Sequence, residues 1–328
     1  MRFLVIGIAL AAFAFTSSVA QAADPIVIKF SHVTSGKLHP KYLAAEEFAK
    51  RVNEQLKGKV KVEIYPGGQL FNDTAILVEL IKGKSVQMGA SSLSKFEPIT
   101  KKFRIFDLPF LFNNIEAVNK FQASPAGKAI LNSMEKKGIL GLAYWHNGMK
   151  QMSANKPLLK PEDAKGMKFR VQASDVLVAQ FKQLGATPQK MAFAEVYGAL
   201  QTGVVDGQEN TWSNVFSKKF FEVQDGTTET DHGIIDYAVI VSKRFWMDLP
   251  ADIRAKLEKI MAEVTADRNG LARSLNLASR DKVIKAGGIV RKLTPEQREA
   301  WRKAMKPVWD QFADDIGVDL LKAAEGFN

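Results

Sequence analysis

Two pieces of one stretch decide the fold and point to a site: MKFRVQAS at residues 167–174 and MAFAEVYGALQTGVVDGQEN at residues 191–210. In the first piece apolar residues alternate with Lys168 and Arg170, which is typical of a half-buried strand. An arginine keeps its charge and presents a planar fork of donors, so it can hold a carboxylate through two parallel hydrogen bonds. A structural ion pair or a solvent-facing side chain would give the same alternation. The strand pattern alone therefore leaves the role of Arg170 open.

Strand and helix patterns alternate before this stretch. Period-2 alternation predicts strands at residues 26–30, 60–65 and 86–91, and apolar i+4 spacing predicts helices at 42–56 and 73–82. This order is typical of an open α/β sheet, which binds ligands at the carboxyl ends of its strands. The polar residues that follow the first and third strands are therefore candidates: Ser31, His32, Thr34, Ser91, Ser92 and Lys95.

A second α/β set is predicted to begin near residues 139–146 and to include the Arg170 strand, with a return to the first sheet at 237–242. Helical spacing from Ile253 to Gly287 predicts a helix of roughly 35 residues, about 50 Å long, which is enough to lie across two domains. A last helix is predicted to begin at the capping box Thr294-Pro295-Glu296-Gln297. Its predicted buried stripe is Ala300, Trp301, Met305, Val308, Trp309 and Phe312.

The composition is that of an ordinary globular protein, with 328 residues, 46% hydrophobic and 25% charged. Residues 1–22 differ: Arg2, an apolar run of about a dozen residues and Ala20-Gln21-Ala22 predict a cleaved export signal, with the mature chain starting at Ala23. The absence of cysteine excludes disulfides and thiolate chemistry. The net charge of +11 is spread along the chain, which favours attraction of anions over nucleic-acid binding.

No catalytic constellation is evident. GxGxxG, GxxxxGK[ST], HExxH and GxSxG are all missing, and the four histidines are scattered without ligand spacing. Asp206 and Glu209 flank a glycine and are interpreted as part of a turn that orients Asn210, not as an acid/base pair. We expect neither a metal, nor a cofactor, nor enzymatic activity.

An ordered set of motifs resembles the substrate-binding proteins of the tripartite ATP-independent periplasmic (TRAP) transporters. They are IKFSHV at 28–33, GMKFRV at 166–171, the whole of 191–210, KKFFEVQ at 218–224 and HGIIDYAVIVSKRFW at 232–246. With the element pattern, this resemblance implies an α/β, two-lobed periplasmic-binding-protein-like (class II-like) fold with a long helix spanning both lobes. The implied lobe I is residues 23–147 plus about 236–275, and lobe II is residues 148–235 plus about 276–328.

The resemblance also implies a function. Such a protein is a monomeric periplasmic receptor that closes two lobes around a small organic acid and delivers it to a membrane permease driven by an ion gradient. The resemblance implies that Arg170 is the carboxylate anchor, that Asn210 is an amide donor and that Phe193 forms an aromatic wall of the pocket. Several pieces are similar to the C4-dicarboxylate branch, among them FSHV at 30–33 and ENTWSN at 209–214, so succinate, fumarate or malate is the expected ligand.

A diacid needs a second cation, and the candidates are Lys37, Lys95 and Lys150, with His32 and Ser92 as hydrogen-bonding groups and Trp212 and Tyr237 closing the pocket. Lys150 lies where sialate-binding members have a second arginine. That difference, together with Ala173 in place of an asparagine, argues against sialic acid.

Three alternatives stay open. The first is a TRAP receptor for a monocarboxylate or a sugar acid. The second is the binding protein of an ATP-driven amino-acid importer, which would need a carboxylate to hold the α-amino group; no such residue is evident near the candidate site. The third is a sensor that binds the same acid.

Overall fold

The computed structural model describes residues 24–36 and 38–328. The predicted export signal, residues 1–22, and the candidate Lys37 lie outside the described residues. The strands are β1 (Ile26–Ser31), β2 (Val60–Tyr65), β3 (Met88–Ser92), β4 (Ile139–Met149), β5 (Gln151–Ala154), β6 (Lys168–Val171), β7 (Thr187–Lys190), β8 (Gly207–Asn210), β9 (Gly226–Glu229), β10 (Ile234–Ser242) and β11 (Val290–Lys292). The α-helices are α1 (Pro40–Gln55), α2 (Ala75–Lys82), α3 (Ile115–Ala123), α4 (Pro125–Asn132), α5 (Asp175–Gln183), α6 (Val196–Gln201), α7 (Trp212–Ser217), α8 (Lys243–Asp248), α9 (Ala251–Lys285), α10 (Pro295–Met305), α11 (Val308–Ile316) and α12 (Val318–Glu325).

The first sheet has the strand order β2-β1-β3-β10-β4. β1 is parallel to β2 and β3, and β10 is antiparallel to both β3 and β4. The predicted return of the chain to this sheet is β10. The prediction that a second α/β set begins near residue 139 is wrong, because β4 pairs with β10 along most of its length and is the last strand of the first sheet.

The second sheet has the order β11-β9-β5-β8-β6-β7 and contains the Arg170 strand. β6 is parallel to β7 and β8, and Arg170 lies opposite Gln189 and Gln208. Phe169 points the other way and stacks on Phe181, with ring centroids 4.7 Å apart. The alternation read from the sequence therefore puts Phe169 in the core of this lobe and Arg170 on the opposite face.

The two sheets form two α/β lobes, and α9 lies across both of them. This helix has 35 residues, the length predicted from its apolar spacing. It packs on α1 and β4 of the first lobe and on α7 of the second. None of the helices in the described residues is both long and apolar enough to cross a membrane.

The C-terminal segment begins as predicted and then departs from the prediction. Thr294 Oγ1 accepts from Gln297 N at 3.2 Å and Gln297 Oε1 accepts from Thr294 N at 2.9 Å, which is the capping box. The prediction of a single last helix is wrong. Pro307 lacks an N–H and separates α10 from α11. Ala300, predicted in the buried stripe, is exposed, whereas Trp301 is fully buried.

Phe169→Ala should destabilise the second lobe. Phe169 is fully buried against Phe181, and removing a buried phenyl ring costs about 3–5 kcal/mol through lost transfer free energy and a residual cavity. Denaturant unfolding of ligand-free protein measures the loss. Val204→Ala is the control, because Val204 is 49% exposed and should change the free energy of unfolding by less than about 0.5 kcal/mol. Equal effects of the two substitutions would contradict the assignment of Phe169 to the core.

Candidate ligand-binding site

A cavity of about 240 Å³ lies between the two lobes. In the first lobe it is lined by residues that follow β1, β2 and β3, and in the second by residues at the ends of β6, β7 and β8. This is where open α/β sheets place ligands, because the carboxyl ends of parallel strands share one edge. Of the residues singled out in the sequence, the following line the cavity: Thr34, Ser92, Lys95, Arg170, Phe193, Asn210 and Tyr237.

Arg170 is a buried cation held in place by one carbonyl. Its Nε and Nη2 groups both donate to Met191 O, at 3.2 and 2.9 Å. A guanidinium has five N–H donors in one plane, so Nη1 and one hydrogen of Nη2 remain for a ligand. Burial lowers the pKa of Arg170 to about 10, although Glu209 and Asp73 oppose this shift. With a pKa of about 10, Arg170 stays charged at pH 7. Because Glu209 pairs with Lys150 and Asp73 with Lys41, the remaining donors of Arg170 are left for an anion.

Asn210 is one link in a chain of hydrogen-bonded amides that joins the lobes. Asn214 Nδ2 donates to Asn210 Oδ1 at 2.6 Å, and Asn210 Nδ2 donates to Gln208 Oε1 at 2.7 Å. In the other direction, Asn214 Oδ1 accepts from His39 Nε2 at 2.8 Å, while His39 Nδ1 accepts from Lys41 N at 3.2 Å. A neutral His39 with its proton on Nε2 satisfies both bonds. Both asparagines line the cavity, and Asn210 has one amide hydrogen still to donate.

Lys95 and Lys41 bring two ammonium groups to the cavity from the first lobe. Burial, and after it the charge of Arg170, lowers the pKa of Lys95 to about 8. Burial also lowers the pKa of Lys41 to about 8, against the pull of Asp73, whose Oδ1 lies 3.9 Å from Lys41 Nζ. Both lysines are therefore mainly protonated at pH 7. Lys190 also lines the cavity, but its Nζ pairs with Asp175 Oδ1 at 2.6 Å. The other three cations, Arg170, Lys41 and Lys95, face one carboxylate of the lining, Asp73, and the cavity attracts anions.

Lys150, one of the candidates for the second cation, does not line this cavity. Its Nζ donates to Glu209 Oε1 at 2.8 Å, and Glu209 Oε2 accepts from His232 Nε2 at 2.7 Å. Burial tends to raise the pKa of Glu209, but Lys150 and His232 outweigh it and bring the pKa to about 2. Lys150 N also donates to Gly233 O at 2.8 Å. Lys150 is thus fixed between β4 and β5, next to β8. Glu209 neutralises its charge there.

His32 and Trp212 also lie outside the cavity. His32 is buried after β1, with its Nδ1 3.2 Å from Thr34 Oγ1, and Thr34 lines the cavity in its place. Trp212 is buried in an apolar cluster of the second lobe, with the Arg280 guanidinium 6.0 Å from its ring centroid. Both are packing residues in this structure.

Sequence reasoning missed several polar residues of the cavity, namely Lys41, Asn72, Asp73, Thr74, Gln172, Lys190 and Asn214. Lys41, Asp73 and Asn214 matter most for its charge and hydrogen bonding. Asp73 lies in the loop between β2 and α2, at the carboxyl end of a parallel strand, so the rule that singled out Ser92 also applied to it. Asp73 is thus a carboxylate of the cavity lining that the sequence did not make evident. Lys41 and Asn214 are on helices, and no pattern in the sequence separates them from surface residues.

Two α/β lobes with a cation-rich cavity between them are the architecture of a solute-binding protein. Residues 30–315 match the sequence profile of the family described as bacterial extracellular solute-binding protein, family 7. This match extends over most of the 328 residues, and the chain belongs to that family.

Relatives of known structure or name share nearly the whole chain. The C4-dicarboxylate-binding periplasmic protein DctP of Vibrio cholerae is 56% identical over 324 residues, or 98% of this chain and 97% of the relative. A TRAP periplasmic solute binding protein of Shewanella oneidensis with bound succinate has a TM-score of 0.91 at 48% identity, covering 93% of this chain and 99% of that chain. A TRAP periplasmic solute binding protein of Pseudomonas aeruginosa with bound L-malate has a TM-score of 0.85 at 49% identity, covering 88% of this chain and 100% of that chain. The resemblance to TRAP substrate-binding proteins and the two-lobed fold are thereby confirmed.

The neutral His39 predicts a pH dependence of stability. Burial and the charge of Lys41 lower the pKa of His39 from an ordinary value near 6.5 to about 3. Between pH 6.5 and about 3 the unfolded state therefore binds a proton that the native state does not, and stability falls as the pH falls. His39→Gln removes this proton, so the slope of unfolding free energy against pH should be shallower by up to about 1.4 kcal/mol per pH unit. Chemical denaturation at several pH values measures both slopes, and parallel curves would show that His39 is not buried neutral.

Proposed function

We propose that this protein is the extracytoplasmic receptor of a TRAP transporter and binds a C4-dicarboxylate, such as succinate, fumarate or malate, between its lobes. One observation carries the proposal. Arg170 and Lys95 both line the cavity, and neither is paired with a carboxylate in the part of the chain that the structure describes. Two buried cations without counter-ions are costly unless a ligand supplies the charges. A dianion with a carboxylate at each end meets that requirement.

The site has donors for both ends of such a ligand. Arg170 offers a two-pronged contact to one carboxylate, and an amide hydrogen of Asn210 lies on the same lobe. Lys95 and Ser92 come from the first lobe, and Ser92 Oγ is buried with no hydrogen-bond partner among the described residues. Since the donors are divided between the lobes, only the closed arrangement completes all contacts. A diacid thus stabilises the closed form by binding it more tightly than the open one.

The names of the relatives support the same ligand class. The Vibrio relative is named for C4-dicarboxylates, and the two solved structures hold succinate and L-malate. By the same likeness, the chain works in the periplasm as a receptor without catalytic activity and delivers its ligand to TRAP permease subunits. The lobe boundaries near residues 147, 235 and 275 stay a prediction.

The ligand class can be tested by calorimetry at pH 7 with dialysed protein. Succinate should bind at least about tenfold more tightly than butyrate, because the second carboxylate gains a charge-assisted contact worth about 1.5–3 kcal/mol. Lys95→Met should bring the succinate affinity towards that of butyrate. Lys182→Met removes the same net charge from an exposed position and should leave both affinities unchanged. Equal affinity of the wild type for the two acids would favour a monocarboxylate receptor.

Substitutions of Arg170 test the anchor. Arg170→Lys keeps the charge but replaces a planar fork by a point charge, so succinate affinity should fall about tenfold to a hundredfold. Arg170→Ala should cost more, because the ligand carboxylate is desolvated without a partner. Near-ultraviolet circular dichroism checks that each variant is folded. A folded Arg170→Ala protein that binds succinate as well as the wild type would show that Arg170 is not the anchor.

A further inference from the structure

Asp73 is a buried carboxylate with unused hydrogen-bonding capacity. It lines the cavity and is only 8% exposed. Its backbone is held because Ser91 Oγ donates to Asp73 O at 3.2 Å. The carboxylate itself is poorly satisfied: Ser92 N lies 3.5 Å from Oδ2, and Lys41 Nζ lies 3.9 Å from Oδ1. The second distance allows electrostatic attraction but exceeds that of a hydrogen bond.

Lys41 cannot move freely to close this gap. Its Nζ donates to Ala90 O at 3.0 Å and lies 3.9 Å from the centroid of the Tyr237 ring. Lys41 is fully buried, so its ammonium has few other positions. The lysine therefore supplies a compensating charge to Asp73 and leaves the oxygen lone pairs free on the cavity side.

The polar lining of the cavity includes many donors, among them Arg170, Lys95, Asn210, Asn214 and Ser92. Thr34, Asn72, Thr74 and Gln172 also line it and can both donate and accept, and Asp73 is the one carboxylate among the described lining residues. A carboxylate can only accept hydrogen bonds. Any ligand group that contacts Asp73 must then be a donor, whereas the carboxylates of a diacid are acceptors and belong at the cations. A donor between two carboxylates is a hydroxyl or an ammonium on the carbon chain.

We propose that Asp73 is a specificity-determining residue that accepts a hydrogen bond from the hydroxyl of a 2-hydroxy diacid. This inference rests on the proposed function and narrows it to the hydroxylated members of the ligand class. A hydroxyl is favoured over an ammonium, since an ammonium would add a positive charge to a cavity that already holds Lys41, Lys95 and Arg170. Asp73 thus discriminates within the diacids, while Arg170 and Lys95 recognise the diacid as such.

Wild-type protein tests the inference with a matched set of ligands in calorimetry at pH 7. The set is succinate, methylsuccinate, both enantiomers of malate, and L-aspartate. One malate enantiomer should bind about ten- to a hundredfold more tightly than succinate, the range expected for a hydrogen bond to a charged group. Methylsuccinate has a substituent of similar size without a donor and should not share the gain. L-aspartate should bind more weakly than that malate enantiomer.

Variants then assign the gain to Asp73. Asp73→Ala should lower the ratio of malate to succinate affinity to near one, and Asp73→Asn, which keeps a neutral acceptor, should lower it partly. The ratio is taken within each variant, so a general change in cavity charge cancels. Retained succinate binding shows that each variant is folded.

Each other outcome is decisive. An unchanged ratio in Asp73→Ala, or a wild type that binds methylsuccinate as well as malate, overturns the role of Asp73 but leaves the dicarboxylate proposal intact. L-aspartate binding more tightly than malate would make Asp73 an ammonium site and also overturn the inference. Wild-type protein that binds none of the diacids refutes the proposed function itself.

Discussion

The charge of Arg170, held inside the protein between two lobes, is the constraint on which the rest of the site depends. A buried guanidinium is stable only where its donors are satisfied and its charge is balanced. Met191 O takes two of its hydrogen bonds and fixes the plane of the fork. The remaining donors face the cavity, where Arg170, Lys41 and Lys95 lie near the carboxylate of Asp73. The surroundings leave an excess of positive charge that a small dianion neutralises.

The balance of charge around β8 leaves Lys150 neutralised while Arg170 and Lys95 stay unpaired at the cavity. Glu209, next to Asn210 in the chain, neutralises Lys150 and accepts a hydrogen bond from His232, with all three side chains about 99% buried. Breaking such a buried pair by removing one partner is strongly destabilising, because a charge is left without compensation. Lys150 therefore supports the strand that carries Asn210 and is not available to a ligand.

The link between the lobes at the cavity is a chain of neutral groups, whereas Arg104 and Asp175 form an ion pair between the lobes elsewhere. His39 begins α1 in the first lobe, and through Asn214 it reaches Asn210 and Gln208 in the second. Hydrogen bonds between neutral amides and an imidazole are modest in net strength, so they align the two faces of the cavity without locking them. A ligand that contacts both faces can then shift the balance between open and closed forms.

The sequence by itself determined the periodic and local features of this protein. Alternation around Phe169, the apolar spacing of α9 and the capping box at Thr294 each reflect contacts within a few residues or one repeating face. The resemblance to a known family added the lobes and the identity of Arg170, Asn210 and Phe193. Only the tertiary structure decided which charges are free. Lys95 and Lys150 are both lysines near strand ends, but one faces the cavity and the other meets Glu209, 59 residues away in the chain. Asp73, Lys41 and Asn214 come together from separate elements in the same way, because charge pairing depends on distances that no sequence pattern contains.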